Sequence, residues 1–180
     1  LIHQTAPTAE LPPRLQRYVA TVRAQHPAWE YRLWTDEDNL AFVRREFADV
    51  LGLYNALPRN IMRADLFRYL LMARVGGLYL DTDYEMLRPF DLLDHDLVLP
   101  WEMDPKTGSE TGRIANAVFA SAPGHPFWTM AIEELKARPP LTLAADVLEA
   151  TGPGLITRIY RRALAAGMVM HTPTGELFCP

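Results

Sequence analysis

The segment Gly76-Gly77-Leu78-Tyr79-Leu80-Asp81-Thr82-Asp83 decides how the chain reads. Two glycines, an apolar run and two acids separated by one residue describe a helix stop, a short buried strand and a charged strand end. In open α/β sheets ligands bind just beyond the carboxyl ends of the strands. Carboxylates two positions apart on an extended chain point the same way, and a hard divalent cation would offset their repulsion. A pyrophosphate would complete such a site, with the metal neutralising the charge that builds on a departing nucleoside diphosphate. Taken alone, Asp81 and Asp83 read first as turn residues, because Asp bonds nearby backbone, and it is their context that favours the metal. A calcium loop is excluded, since Met86 and Leu92 stand where Gly and Glu are needed. An aspartyl-nucleophile phosphatase fits less well, with Glu85 two residues past the second acid.

Immediately upstream, Met62, Leu66, Tyr69, Leu70 and Ala73 recur every three or four residues and predict a helix over Asn60 to Val75. Asp65 and Arg68 lie three apart on it, with Tyr69 beside them, so they share a face. An isolated pair of this kind is usually a surface ion pair. Here the helix runs straight into the glycine turn and the acidic strand end, so its polar groups can reach the same pocket and grip sugar hydroxyls.

The flanking sequence gives the setting. Further strands are expected at Leu1 to Thr5, Trp29 to Thr35, Asp96 to Trp101, Ala115 to Ala120 and Met168 to His171. Helices are expected from Pro12-Pro13 to His26, after an N-cap at Asp36 or Asp38, and over Phe127 to Ala137, Leu143 to Ala150 and Gly154 to Ala166. Gly52 and Pro58 are expected to break up the stretch before Asn60. Alternation of strands and helices predicts an α/β domain with a mainly parallel central sheet. With 180 residues, 49% of them apolar and 22% charged, the chain suits one domain and excludes a disordered or fibrous one.

Acids number 22 against 18 Lys plus Arg, so nucleic acid is not the expected partner. The one cysteine, Cys179, closes no intrachain disulfide, and no Cys/His spacing suits structural zinc. The longest stretch without a formal charge, Ile114 to Ile132, contains Pro123, Gly124 and Pro126 and reads as strand, turn and helix, so no transmembrane segment is expected. Trp101, Phe127 and Trp128 are read as core. The expected location is cytoplasmic, peripheral to a membrane.

Arg63-x-Asp65-x-x-Arg68-Tyr69 followed by Gly76-Gly77-x-Tyr79-x-Asp81-x-Asp83 resembles the sugar-binding region of the DXD-motif glycosyltransferases that include fungal initiating α-1,6-mannosyltransferases and capsular polysaccharide synthesis proteins. Ile2-His3-Gln4-Thr5, Tyr31-Arg32-Leu33-Trp34-Thr35-Asp36, Asn116, Gly124-His125-Pro126 and Thr151-Gly152-Pro153 match the same family's landmarks in order. The spacing is also similar to that of the glucosyltransferase domain of large clostridial toxins.

The resemblance implies a single GT-A-like, Rossmann-type nucleotide-binding domain over 1–180 and a metal-dependent retaining hexosyltransferase. It would use a UDP- or GDP-sugar donor and a glycan, lipid or protein acceptor. By position, Asp83 would ligate Mn²⁺ or Mg²⁺, and Asp81 would contact the donor ribose and the metal shell. Asp65 and Arg68 would hold the transferred sugar and the diphosphate. Tyr79 would sit by the nucleotide, His3, Gln4 and Asp36 would line the nucleoside pocket, and Asn116 would face sugar or acceptor, where a turn role is the other reading. Glu102 and Asp104 follow a predicted strand and could reach the acceptor side.

The pattern departs from the family at Ala6, where an aromatic is common, and at the end, Phe178-Cys179-Pro180, which falls before a His-rich and Ser-Trp closing segment. His171 reads as structural. The alternative to catalysis is a nucleotide-sugar-binding domain or partner subunit. A glycoside hydrolase ranks below both, because Asp81 and Asp83 are too alike in setting to serve as an acid and base pair.

Overall fold

The computed structural model describes residues 1–89, 94–104 and 106–175; Leu92 and Phe178-Cys179-Pro180 lie outside the described residues. The order is β1 (Ile2–Thr5), α1 (Pro13–Gln25), β2 (Tyr31–Trp34), α2 (Asp36–Glu46), α3 (Leu51–Ala56), α4 (Asn60–Arg74), β3 (Gly77–Leu80), β4 (Leu97–Val98), β5 (Trp101–Met103), β6 (Glu110–Ile114), β7 (Val118–Ser121), α5 (Pro126–Ala137), α6 (Val147–Ala150) and α7 (Pro153–Ala165). The central sheet runs β2-β1-β3-β7-β4. β1 is parallel to β2 and β3, while β7 is antiparallel to both β3 and β4, so four of the five strands share one direction. The expected α/β domain with a mainly parallel sheet is observed.

Strand residues alternate between two cores, as the pleat requires. Tyr79, Phe119 and Leu97 join the larger cluster with Phe67, Leu71, Trp128 and Ile156 from α4, α5 and α7. Ile2, Leu78, Leu80 and Ala120 face the other way, onto Val22 of α1 and Met86. Both faces are thus covered, as parallel strands demand. Phe127 and Trp128 are fully buried, and Trp101 packs at the core's margin. No helix among the described residues is long and apolar enough to cross a membrane.

Several elements differ from expectation. The cap of α2 is Thr35: its Oγ1 accepts from the Asp38 N–H at 3.1 Å while Asp38 Oδ2 accepts from the Thr35 N–H at 3.0 Å, and Asp36 becomes the first helical residue. Gly52 sits inside α3, whose one and a half turns are held by Tyr54 and Leu57 in the core. The single strand expected over Asp96 to Trp101 is two strands in different sheets, β4 centrally and β5 in a hairpin with β6. That hairpin ends at Ile114, so Ala115 to Ala117 form a connection and the last strand starts at Val118. The helix expected over Leu143 to Ala150 is only one turn, α6, and Met168 to His171 makes a single bridge from His171 to Val98.

The turn into β3 needs glycine for a stated reason. Gly76 and Gly77 have φ of 67° and 96°, and a Cβ on Gly76 would lie 2.6 Å from Ser121 O. Beside this turn, His3 is buried with both ring nitrogens engaged: Nε2 donates to Gly76 O at 2.9 Å, and Nδ1 accepts from the Trp34 indole at 3.0 Å. This tautomer ties β1 to β2 and to the start of β3. Burial pushes the ring down to about 4, against 6.5 for a free imidazole. An unfolded chain takes up that proton below pH 6.5, so the stabilisation is complete above 6.5 and lost as pH falls towards 4, by about 3 kcal/mol. Gln at this position keeps a donor and an acceptor without titrating. Urea unfolding at neutral and acid pH is therefore expected to show a smaller acid loss in His3→Gln than in the parent; equal losses would refute the assignment.

Candidate functional site

Parallel strands bring their carboxyl ends to one edge, and the predicted residues collect there. β1 ends at Thr5, β2 ends at Trp34 and leads through the Thr35 cap to Asp36 at the start of α2, β3 opens into Asp81-Thr82-Asp83, and the antiparallel β7 begins there just after Asn116. The acidic loop is held by backbone and side chain alike: the Asp81 N–H donates to Ala117 O at 2.9 Å, and Gln4 Nε2 donates to Asp81 O at 3.0 Å. Gln4 Oε1 in turn accepts from the Tyr31 hydroxyl at 2.9 Å. Gln4 and His3 are both fully buried and support the loop and the sheet, so neither lines a nucleoside pocket.

At the centre stands Arg68, its side chain only 4% exposed. Nη1 lies 3.1 Å from Asp81 Oδ1 and also donates to Asn116 O, while Nη2 lies 3.3 Å from Asp65 Oδ1. The Asp65–Arg68 pair is therefore a buried bridge between helix, strand end and loop, not a surface ion pair. Asp65 also accepts from Asn116 Nδ2 at 2.9 Å and from the Thr151 hydroxyl at 2.6 Å. The Tyr69 hydroxyl reaches Asn116 Oδ1 at 2.7 Å, closing the network. The Tyr79 hydroxyl donates to Asp81 Oδ1 at 3.0 Å and lies 2.9 Å from Thr5 Oγ1. Arg68 Nε is buried and finds no acceptor among the described residues.

Burial opposes charge throughout this cluster. It pushes the Asp65 carboxyl up against the pull of Arg68, Thr151 and Asn116, and does the same to Asp81 against Arg68 and Tyr79. Burial also works against the Arg68 cation, yet Asp81 and Asp65 hold its pKa above the ordinary value. Two carboxylates thus share one guanidinium.

A cleft of about 340 Å³ opens over this group, lined among others by Thr5, Ala6, Asp36, Arg68, Asp81 and Asp83. Its lining has no aromatic side chain among the described residues. Asp36 sits on its wall, where burial pushes the carboxyl up and Arg63 opposes the shift. Asp83 is exposed and, among the described residues, has neither hydrogen bond nor ion pair; Asp81 Oδ2 is similarly free of protein partners. No group of three His, Cys, Asp or Glu side chains is gathered for a metal among the described residues. Two available carboxylates suit a Mg²⁺- or Mn²⁺-like cation, which takes one or two protein oxygens and completes its shell from water and phosphate.

Asp65, Arg68, Tyr79, Asp81, Asp83, Asp36 and Asn116 are thus brought together, and His3 and Gln4 stand behind them. Thr151 was the hidden partner: it precedes the Gly152-Pro153 start of α7, and only the approach of that helix to α4 reveals its bond to Asp65. His171 stacks on His95 with centroids 3.8 Å apart, away from this group.

Residues 12–103 match the model of a family described as the glycosyltransferase sugar-binding region containing the DXD motif. Inositol phosphoceramide mannosyltransferase 3 of Schizosaccharomyces pombe is 36% identical over 135 residues, covering 75% of this chain and 36% of that protein. The initiation-specific alpha-1,6-mannosyltransferase of the same organism is 28% identical over 170 residues, covering 79% of this chain and 43% of that protein. The chain therefore spans well under half the length of these relatives. Among solved structures, PaToxG glycosyltransferase superposes with a TM-score of 0.68 over 92% of this chain and 68% of that one, at 12% identity, a likeness of fold.

Removing the shared cation should cost more than removing a single donor. Arg68→Met is expected to lower unfolding free energy by about 3–5 kcal/mol, because two carboxylates are left uncompensated. Thr151→Val is expected to cost about 1–3 kcal/mol. Chemical denaturation checks both, and a cost for Arg68→Met no larger than for Thr151→Val would refute the shared-cation arrangement.

Proposed function

The chain belongs to the glycosyltransferase family whose sugar-binding region contains a DXD motif, and from that premise we propose that it is a retaining hexosyltransferase. It transfers a hexose from a UDP- or GDP-sugar to an acceptor hydroxyl with the help of a divalent cation. The observation that carries this reading is the Arg68–Asp81 pair at 3.1 Å with the unpaired Asp83 on the lip of the same cleft. The names of the mannosyltransferase relatives support mannose as the transferred sugar.

In the proposed reaction the bond between the anomeric carbon and the diphosphate oxygen breaks. The acceptor oxygen forms its new bond on the same face, and its proton passes to the departing diphosphate. No carboxylate among the described residues stands apart from the Arg68 group as a covalent nucleophile in the donor cleft, which favours this same-face route. When bound, the cation supplies Lewis-acid stabilisation of the leaving diphosphate. Asp83 and Asp81 Oδ2 are the residues that would hold it. Arg68 stays charged beside the leaving group, and its position is fixed by the two carboxylates, so little reorganisation is needed as negative charge develops. Asp65 and Asn116, locked to each other at 2.9 Å, present polar atoms to the sugar. Tyr79 holds Asp81 in place.

Release of nucleoside diphosphate from a panel of UDP- and GDP-sugars, with Mn²⁺ and with chelator, tests the reading without a known acceptor. Metal-dependent release from one donor is the expected result. Asp83→Asn is expected to reduce it by at least about a hundredfold while stability changes by no more than about 0.5 kcal/mol, since the side chain is exposed. Metal-dependent nucleotide binding without any release would instead support a donor-binding domain or partner subunit.

A further inference from the structure

The donor cleft is short of positive charge. Asp65, Asp81 and Asp83 stand against one guanidinium, Arg68, a balance of two negative charges that one divalent cation would cancel. Asp36 on the wall is met by Arg63. A diphosphate brings further negative charge, and Arg68 is the only cationic side chain in the cleft's described lining. The missing positive charge has to come from the rim. We propose that Arg14, in the first turn of α1, is a second cationic arm of this site, taking the outer oxygens of the donor's diphosphate from the sheet face opposite Arg68. The assignment rests on the transferase reading above for the identity of the ligand.

The topology brings Arg14 there. A helix that crosses between parallel strands starts at the carboxyl end of the strand before it. β1 ends at Thr5 and α1 starts at Pro13, so the first turn of α1 lies over the edge that carries Asp81 and Asp83. Leu15, next to Arg14, lines the same cleft as Asp83. The two arginines come from opposite faces of the sheet: Val22 of α1 packs with Ile2, Leu78 and Leu80, whereas Leu66 and Leu70 of α4 belong to the other core with Tyr79 and Phe119. A ligand seated on the edge between them can be gripped from both sides.

Arg14 is exposed but anchored. Its Nε donates to the Tyr18 hydroxyl at 3.2 Å, and its guanidinium carbon lies 5.6 Å from the centre of that ring, one turn along the same helix face. Nη1 and Nη2 have no partner among the described residues, which leaves free the planar fork that matches two phosphate oxygens. Tyr18 first, and the Asp83 carboxylate in addition, favour the charged form of Arg14, so Arg14 and Asp83 sense each other's charge across the mouth without forming an ion pair. Arg14 therefore acts on the site in two opposed ways. It repels a cation approaching Asp83 and attracts the diphosphate.

Two bindings test this at low ionic strength, where exposed charges are least screened: Mn²⁺ alone by water-proton relaxation, and UDP and GDP with Mn²⁺ by calorimetry. Arg14→Gln is expected to tighten Mn²⁺ binding about two- to fivefold and to weaken the better-bound diphosphate about three- to tenfold. Opposite signs are the signature, since a merely structural role would weaken both. Arg14→Lys keeps the charge and is expected to restore Mn²⁺ binding fully but nucleotide binding only in part, because the planar fork is lost. Arg44→Gln removes the same charge from an exposed position in the last turn of α2 and is expected to change neither. Shifts of the same sign in Arg14→Gln, no shift, or equal shifts in Arg44→Gln overturn the assignment. A parent that binds neither Mn²⁺ nor diphosphate overturns it together with the transferase reading. Donor hydrolysis with unchanged binding in Arg14→Gln overturns the role of Arg14 alone, whereas opposite shifts without any hydrolysis support Arg14 and overturn the transferase reading alone.

Discussion

A guanidinium buried between two carboxylates is the constraint on which the rest of this structure depends. Arg68 is nearly inaccessible, and an uncompensated charge there would cost several kcal/mol. Its partners come from α4 itself, from the end of β3 and from the loop before β7, so satisfying one side chain fixes three segments. Thr151 at the start of α7 joins as a fourth through Asp65. The acidic strand end is therefore positioned by the core from behind and by Arg68 from the side. Asp83, two residues beyond, is left without a hydrogen-bond or ion-pair partner among the described residues. Restraint of Asp81 and availability of Asp83 are two results of the same arrangement.

Much of this was legible in the chain. The period of Met62, Leu66, Tyr69 and Leu70 marks α4, the glycine pair marks its end, and the Asp-x-x-Arg and Asp-x-Asp spacings mark the site. These signals are local and hence readable. The misread parts depend on partners distant in sequence. Asp96 to Trp101 reads as one apolar strand run, and only Pro100, which falls between β4 and β5, hints locally that it divides; that the two parts join different sheets depends on distant partners. Asp36 and Asp38 look like caps by composition, yet Thr35 wins because Asp38 can answer it reciprocally. His3 and Gln4 are polar residues at a strand that borders the site, which invites a ligand role. Only the placement of Gly76, Trp34, Asp81 and Tyr31 around them shows that their hydrogen-bonding capacity is already used.

The sheet's geometry also explains why two clefts open side by side over Arg68 and Asp81. On one side of Arg68 the wall is Leu15 of α1, the end of β1, Asp36 at the start of α2, and Asn60, Ile61 and Ala64 of α4. On the other it is the β5–β6 hairpin and the α6–α7 turn, whose single helical turn and short strands leave aliphatic side chains unburied. Elements this short cannot cover their own apolar surface. Both clefts thereby set aliphatic walls around one charged floor, with Ile61 lining each.

The bonds that bracket β3 run from His3 to Gly76 and from Gln4 to Asp81, across 73 and 77 residues of chain, and the bond from Thr151 to Asp65 spans 86. Each closes a long loop, and long-range pairing is slow to form. During synthesis from the amino terminus, the acidic pair is therefore made early but anchored late. Until Thr151 has emerged, Asp65 lacks the donor to its Oδ2 and the Tyr69 hydroxyl lacks one of its acceptors. Competence to hold a ligand arrives with the last third of the domain, so a nascent chain carries the motif well before it carries the site.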